Sequence, residues 1–480
     1  TNLYHMKKVT LFTLVAALLA PATVVIGQEE RHAAASEGTG TLPTLQFVTR
    51  PQAPPYGKAP QDTTRMKKAR KASERKVRPS TGTFIDEPNL PQMLAFNWSY
   101  PWTIMQLDAP DMKETHLLNA ENWPVTIHLR NGNLEGTYFS DNPQGSTLLQ
   151  ASFQTNGLLN WSRTQFISNA EIGKRFVRTA YDEHNDIMYG LGPSENDKKQ
   201  YFTLSAFYPD TRVDANGAEI SPLANIRIIN DKLPAEADCS AFAWDPRDGS
   251  LIGISVAGKV IRFDPVKGTY KVVFDTGLVN SPYFGGLAYS PKDKGFIWAY
   301  LTRDESGATT GQDFYLIDTD RKKATLIKSV PREEGEMVHQ VSSLIINEHY
   351  SDPYGPRVAE ITSDTFMPHS GDGSITLTLP THSEKGLPIA GKLKYMVRVD
   401  GIRNADGTSY AEATLSPGAT RTETFSGLGD GAHRITFYTV TEDGHWSRPL
   451  NVVKYVGYDT PMPPTNVVLT GDKLTWEPVT

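Results

Sequence analysis

Cysteine is what this 480-residue chain has least of: a single residue, Cys239, in "AEADCSAF". One cysteine closes no intrachain disulfide. It also lies far from the apolar N-terminal segment behind which a lipid-modified cysteine would have to stand. Its apolar neighbours Ala241 and Phe242 predict a buried structural thiol rather than a nucleophile. The motifs of common chemistries are missing too. There is no HExxH, no P-loop and no GxSxG elbow, since "GISVA" (Gly253 to Ala257) lacks the closing glycine. "GLGDG" (Gly427 to Gly431) leads into a strand instead of opening a helix, which disfavours phosphate cradling. Asp245, Asp248 and Asp264 do not sit in the spaced oxygen-ligand loop that a calcium hand needs. The 54 acids would furnish a carboxylate pair for any glycosidase scheme, so none is singled out without geometry. No catalytic residue, metal site or cofactor is therefore expected.

Long apolar runs are equally scarce. The stretch "MKKVTLFTLVAALLAPATVVIG" from Met6 carries two lysines, an apolar run from Val9 to Ala20, and Ala20 and Ala22 as A-x-A. This is the plan of a secretory signal over residues 1–27, with a few residues ahead of Met6. Pro21 interrupts the run, which is shorter than the ~20 residues of a spanning helix. Export to the extracellular space, the cell surface or the periplasm is expected.

Positive charge is clustered in one place. The net charge is −6, yet Arg65, Lys67, Lys68, Arg70, Lys71, Arg75, Lys76 and Arg78 stand together against the single acid Glu74. The remainder is more acidic than the total and gives no encouragement to nucleic acid binding. Residues 28–93, rich in Pro, Ser, Thr and Gly without periodicity, read as a disordered leader. The basic run within it is either a solvated stretch or an electrostatic contact to an anionic surface.

Repeated hairpins are what the chain does have. "TAYDEHNDIMYG" (Thr179 to Gly190), "FAWDPRDGSLIG" (Phe242 to Gly253) and "LAYSPKDKGFIW" (Leu287 to Trp298) share Ala, an aromatic residue, Asp or Ser, a polar turn and a second apolar strand. "VIRFDPVKGTYKVV" (Val260 to Val273) and "FYLIDTDRKKATLI" (Phe314 to Ile327) follow as second hairpins, which makes four strands per repeat. Such a unit, about 45 residues long, is what a β-propeller blade requires. Residues 94–351 are thus expected to form a propeller of five or six blades, or seven short ones, with Ala180, Ala243 and Ala288 on inner strands. A stack of β-sandwiches is the competing architecture. The turn aspartates are expected to accept backbone N–H bonds. Pro124 to Ser140 and Leu148 to Ser162 read as further hairpins, and His339 to Tyr350 as a last strand pair.

After "DPYGPR" (Asp352 to Arg357) five alternating strands appear: Gly373 to Pro380, Lys392 to Gly401, Thr420 to Leu428, His433 to Gly444 and Pro449 to Val456. Ile375, Leu377 and Leu379 share one face, as do Tyr395, Val397 and Val399. Through "YMVRVDG", "GLGDGAHRITFYTVTEDGHWS" and a Ser-Arg-Pro entry to the last strand, residues 352–458 resemble a fibronectin type III or related bacterial Ig-like domain. Two features depart from that pattern. The second strand has no tryptophan, and His433 or Arg434 holds the place of the corner tyrosine. His433 and His445 read as turn or surface residues. Beyond "DTPMPP", "TNVVLTGDKLTWEPVT" resembles the opening strands of a second such domain, with Trp476 at the core tryptophan. Two strands bury no core alone, so 459–480 read as a linker and a truncated second fibronectin domain.

The whole chain resembles secreted bacterial surface proteins in which a β-propeller precedes fibronectin type III or Ig-like domains. The resemblance implies an all-β, non-enzymatic binding or adhesion protein whose propeller loops take an extracellular protein or carbohydrate, with the fibronectin-like part as spacer. The alternative is an extracellular hydrolase or lyase acting on glycan or peptide, its site in the propeller funnel or in a domain beyond Thr480. Converging acids and histidine at the funnel mouth would favour the alternative, and a plain apolar channel would weaken it. In "FNWSYPWT", Trp98, Tyr100 and Trp102 recur at period two. They form either a ligand-binding glycan platform or the core of the first blade.

Overall fold

Short apolar-polar alternations between polar turns build strands almost throughout. The computed structural model describes residues 92–97, 103–108, 111–119, 124–130, 133–138, 145–153, 159–168, 178–183, 185–193, 202–207, 212–213, 219–220, 227–279, 285–331, 340–367, 370–457, 465–470 and 473–477. Among these the protein is all-β: six four-stranded sheets, one three-stranded sheet and two two-stranded pairs.

Five of the four-stranded sheets precede residue 350. Sheet I runs Val341–Ile346, Met93–Asn97, Thr103–Asp108, Lys113–Asn119; sheet II runs Pro124–Arg130, Asn133–Tyr138, Gly145–Phe153, Leu159–Ser168. Sheet III runs Arg178–Asp182, Ile187–Pro193, Phe202–Phe207, Arg227–Leu233. Sheet IV holds Cys239–Asp245, Ser250–Ser255, Lys259–Asp264 and Thr269–Asp275, and sheet V holds Leu287–Ser290, Gly295–Arg303, Thr309–Asp318 and Lys323–Pro331. The first strand of each sheet, here its inner strand, touches the inner strands of two other sheets, and these contacts close a cycle in the order I, II, III, IV, V. Ala180, Ala243 and Ala288 all lie on inner strands and are buried.

Hairpins in sheets III, IV and V close through one turn form. Its last residue, Asp186, Gly249, Gly268, Lys294 or Lys322, has φ of 52°, 65°, 67°, 54° or 55°. Its first side chain accepts a backbone amide: Asp182 from Asn185 at 3.2 Å, Asp245 from Arg247 at 3.1 Å, Asp264 from Val266 at 3.1 Å, Ser290 from Asp293 at 3.3 Å and Asp318 from Asp320 at 3.0 Å. The aspartates thus act as turn residues, as the sequence predicts.

Side chains between neighbouring sheets form the core. Tyr189, Phe242 and Phe263 pack between sheets III and IV; Ile252, Phe296 and Trp298 pack between IV and V; Met105, Phe314 and Leu344 pack between V and I. Each such large side chain contributes about 1.5–3 kcal/mol on burial. Cys239 belongs to the first of these clusters, and burial pushes its thiol pKa up, away from nucleophilic use.

The sequence predicts a strand pair over His339 to Tyr350, and here the structure differs. Val341–Ile346 is one strand, and it pairs with Met93–Asn97, the first strand of the cycle, Leu94 opposite Ile345. Closing the cycle supplies these apolar residues with a partner that local sequence does not announce.

Sheets VI (Glu360–Asp364, Gly373–Thr378, Thr420–Phe425) and VII (Ala411–Leu415, Leu393–Val399, Gly431–Val440, Leu450–Val456) share one apolar core that includes Ile375, Leu377, Tyr395, Val397, Phe425 and Phe437. Two of these strands, Glu360–Asp364 and Ala411–Leu415, are additions to the five predicted. Both are edge strands, and Glu360–Asp364 is exposed along its length, so it carries no apolar alternation to read. His433 is not a surface residue. It is buried, and its Nε2–H donates to the Gly429 carbonyl at 2.7 Å. His445 is half-buried against Asp352, with Nδ1 2.7 Å from Oδ2. Thr465–Thr470 and Lys473–Glu477 form the final hairpin.

Candidate functional site

The inner strands converge on a cavity of about 170 Å³. Ala180, Ala243 and Ala288 line it, their methyl groups leaving the space that larger side chains would fill. The aromatic residues Tyr181, Trp244 and Tyr289 follow them, and at the strand ends stand Glu183, Glu348 and His349. Sheet VII supplies the rest, since Arg398, Asp400 and Arg434 line the same cavity. The sheet VI–VII pair therefore stands over the end of the cycle where the inner strands terminate.

Pairing across this mouth is extensive. Glu183 Oε1 lies 3.0 Å from His349 Nε2 and 3.6 Å from Arg434. Burial pushes the Glu183 pKa up, but the His349 hydrogen bond and the charges of Arg434 and Arg398 outweigh it and lower the carboxyl to about 2. Its side chain keeps 48% of its surface exposed, so solvent screens part of this effect. Arg398 donates to Asp400 at 2.8 Å and to the Tyr410 hydroxyl at 2.9 Å, and Tyr410 meets the Tyr289 hydroxyl at 2.9 Å. Tyr438 donates to Glu348 at 2.7 Å.

Beside the cavity, the turn of sheet IV forms an ion-pair knot. Asp245 and Arg247 are both fully buried, and Arg247 donates from Nε (2.9 Å) and Nη2 (3.0 Å) to the two carboxylate oxygens. Its remaining contacts reach the Lys294 carbonyl at 2.9 Å, Asp320 at 3.2 Å and Thr319 at 2.8 Å. Burial alone would lower the Arg247 pKa, but Asp245 reverses the direction and raises it. Arg403, from the loop after Leu393–Val399, reaches Asp320 at 2.8 Å and Asp248 at 3.5 Å, and the Gly401 amide donates to the Pro246 carbonyl at 3.2 Å. Arg262 also pairs with Asp248, and Lys294 with Glu412. The acidic turn that the sequence presents as local is thus also a docking surface.

Trp98, Tyr100 and Trp102 lie outside the described residues, as do Arg65, Lys67, Lys68, Arg70, Lys71, Arg75, Lys76 and Arg78 and the whole signal segment. Asn97 and Thr103, which flank the aromatic stretch, pair with each other, and Asn97 pairs with Val341 at the start of its inner strand. Glu348 and His349 follow the opposite end of that strand. Glu183, His349, Arg398 and Arg434 escaped sequence reasoning because they are single residues spread over 250 positions in four different elements or turns. No local spacing marks them.

No protein-family model matches the chain, and no curated protein matches it. Among solved structures it is similar to hydrazine synthase of Kuenenia stuttgartiensis, with 11% identity over 70% of this chain and 68% of that one, at a TM-score of 0.26. It is similar to an exo-β-1,3-galactanase of Phanerochaete chrysosporium, with 11% identity over 78% and 99% of the chains, at a TM-score of 0.26. A third is PorZ, a bacterial surface component of the type-IX secretion system of Porphyromonas gingivalis, with 10% identity over 74% and 63%, at a TM-score of 0.22. Likenesses at these TM-scores carry no argument about fold or activity.

Proposed function

We propose that the chain is an exported, non-enzymatic binding or adhesion protein built from a five-bladed β-propeller (94–351), an Ig-like or fibronectin type III sandwich (352–458) and, over 459–480, the start of a second one. Five sheets in a closed cycle, with the chain's last cycle strand completing the first sheet, support the propeller. The sandwich reading rests on seven strands split three and four between two sheets over one core. His433, bonded back to Gly429, stands in for the corner tyrosine of that fold.

Glu183, Glu348, Asp400 and His349 converge at the mouth, the feature expected of the hydrolase alternative. One observation nevertheless carries the choice of binding: the sandwich residues Arg398 and Arg434 line the same mouth and pair with its acids. A glycosidase needs a carboxylic acid there with a raised pKa. Glu183 is instead held low by His349 and Arg434. The macromolecular ligand then belongs to the other end of the propeller, beside the anchors Asn97 and Thr103 of the Trp98, Tyr100 and Trp102 stretch. The Arg65 to Arg78 run would add an anionic-surface contact that weakens with salt.

The test is binding of the exported chain to arrayed glycans and immobilised extracellular proteins, with Trp98→Ala/Trp102→Ala beside it. Lost binding at unchanged thermal stability supports the reading. Turnover of an arrayed glycan or peptide, abolished by Glu183→Gln or Glu348→Gln, would replace it with the hydrolase.

A further inference from the structure

The cavity under the sandwich lies at the opposite end of the inner strand Val341–Ile346 from Asn97 and Thr103, and its chemistry is mixed in a specific way. Its wall is apolar and aromatic, with Ala180, Ala243 and Ala288 beside Trp244 and Tyr289, while Glu183, Glu348 and Asp400 bring carboxylates to it. Each carboxylate has one oxygen held: Glu183 Oε1 by His349, Glu348 Oε2 by Tyr438 and Asp400 Oδ1 by Arg398. Among the described residues the second oxygen of each makes no side-chain hydrogen bond, which leaves three acceptor oxygens on residues that line the cavity. Arg398 and Arg434 balance most of their charge. Access exists at the rim, where the side chains of His349 and Glu183 are 28% and 48% exposed.

We infer that this cavity is a binding site for one neutral pyranose ring, as a monosaccharide or as the end residue of a glycan. Size sets the first limit. A volume of about 170 Å³ is close to the ~150 Å³ that admits a benzene ring and well under the ~300 Å³ at which pockets for larger ligands begin. Polarity sets the second, because a dry hydrocarbon would leave the three acceptors unpaired, whereas ring hydroxyls donate to them. Charge sets the third: an anionic ligand meets three carboxylates, and a cationic one meets two guanidinium groups. A metal ion is disfavoured by spacing, since no three His, Cys, Asp or Glu among the described residues are placed to hold one. The C–H face of a pyranose suits the Trp244 and Tyr289 side of the wall. Both propeller and sandwich residues contact such a ligand, so its binding also strengthens the joint between them.

The experiment uses the exported chain with methyl α-D-glucopyranoside, methyl α-D-galactopyranoside and methyl α-D-mannopyranoside, and with glucuronate and glucosamine as charged counterparts. Saturation-transfer NMR and calorimetry read binding. Saturable binding of at least one neutral glycoside is expected, weakened about tenfold or more by Glu183→Leu. Ala243→Leu, which fills the cavity, abolishes it. Trp98→Ala leaves it unchanged, which separates this site from the far-end reading. No saturable binding by any neutral glycoside, binding untouched by Glu183→Leu, or preference for a charged sugar would overturn the inference. Should Ala243→Leu lose its native circular dichroism, the half-exposed Glu183→Leu decides alone.

Discussion

Sheet IV and sheet VI each bury an arginine and a carboxylate two residues apart, and they treat the charge in opposite ways. Asp245 and Arg247 form a saturated knot: two side-chain bonds join them, the Arg247 amide adds a third, and Thr319, Asp320 and the Lys294 carbonyl take the other guanidinium donors. Arg421 and Glu423 share one bond of 2.7 Å, and Glu423 Oε2 is buried with no partner. The Tyr395 hydroxyl lies nearby without forming a well-shaped hydrogen bond. Burial raises the pKa of both acids, but Arg247 pulls Asp245 below the usual range, whereas Glu423 stays up at about 7 despite Arg421. Burial is common to both. The number of donors decides which protonation state it selects.

The strongest way to break the contrast is Arg247→Ala. It leaves the buried Asp245 with only the longer Arg262 ion pair at 3.6 Å and should cost about 3–5 kcal/mol in urea unfolding. It should also loosen the joint between sheets IV and VII, seen as faster hydrogen exchange at Gly401, whose amide meets Pro246.

Glu423 tests the other side. Its folded pKa of about 7 exceeds its ordinary value of 4.5, so the folded state holds the proton more tightly than the unfolded one. Its contribution to stability is present below about pH 4.5 and declines as pH rises toward 7. Glu423→Gln should flatten that slope and stabilise the protein at pH 8 by about 2–3 kcal/mol. Equal pH profiles for the two proteins would remove Glu423 from the account.

The smallest effect belongs to the rim of the knot. Arg403 and Asp320 meet at 2.8 Å with side chains 22% and 40% exposed. A double-mutant cycle with alanine at both positions should give a coupling of about 0.2–1 kcal/mol that fades with salt. A coupling as large as that of the buried pair would show that solvent exposure is not what separates them.

The hairpins were legible because alternation and the Asp-led turn are local. Phe242 to Gly253 reads as strand, turn and strand from its own residues, and Ala243 is identifiable as an inner-strand residue from its recurrence at Ala180 and Ala288. The partner of Val341–Ile346 was not legible, because Met93–Asn97 lies some 250 positions away. Nor was the edge strand Glu360–Asp364, which is exposed along its length, or Ala411–Leu415, whose alternation is only five residues long and buries two alanines and a leucine. Of the cavity, only the small wall residues Ala180, Ala243 and Ala288 were legible, not its polar rim. Glu183 and His349 are unremarkable polar residues at strand ends until the cycle brings them within 3.0 Å of each other.

The sequence by itself determined that this is an all-β protein, that its hairpins recur, that Cys239 is structural and that the turn aspartates serve their own backbone. Each follows from interactions within about ten residues or from composition. Only the tertiary structure decided that five sheets close a cycle, that the chain's two ends of that cycle share sheet I, and that Arg398, Asp400 and Arg434 stand over its mouth. Those outcomes depend on contacts between distant segments, where burial removes water and the remaining donors and acceptors must be matched across elements. No local pattern records that matching.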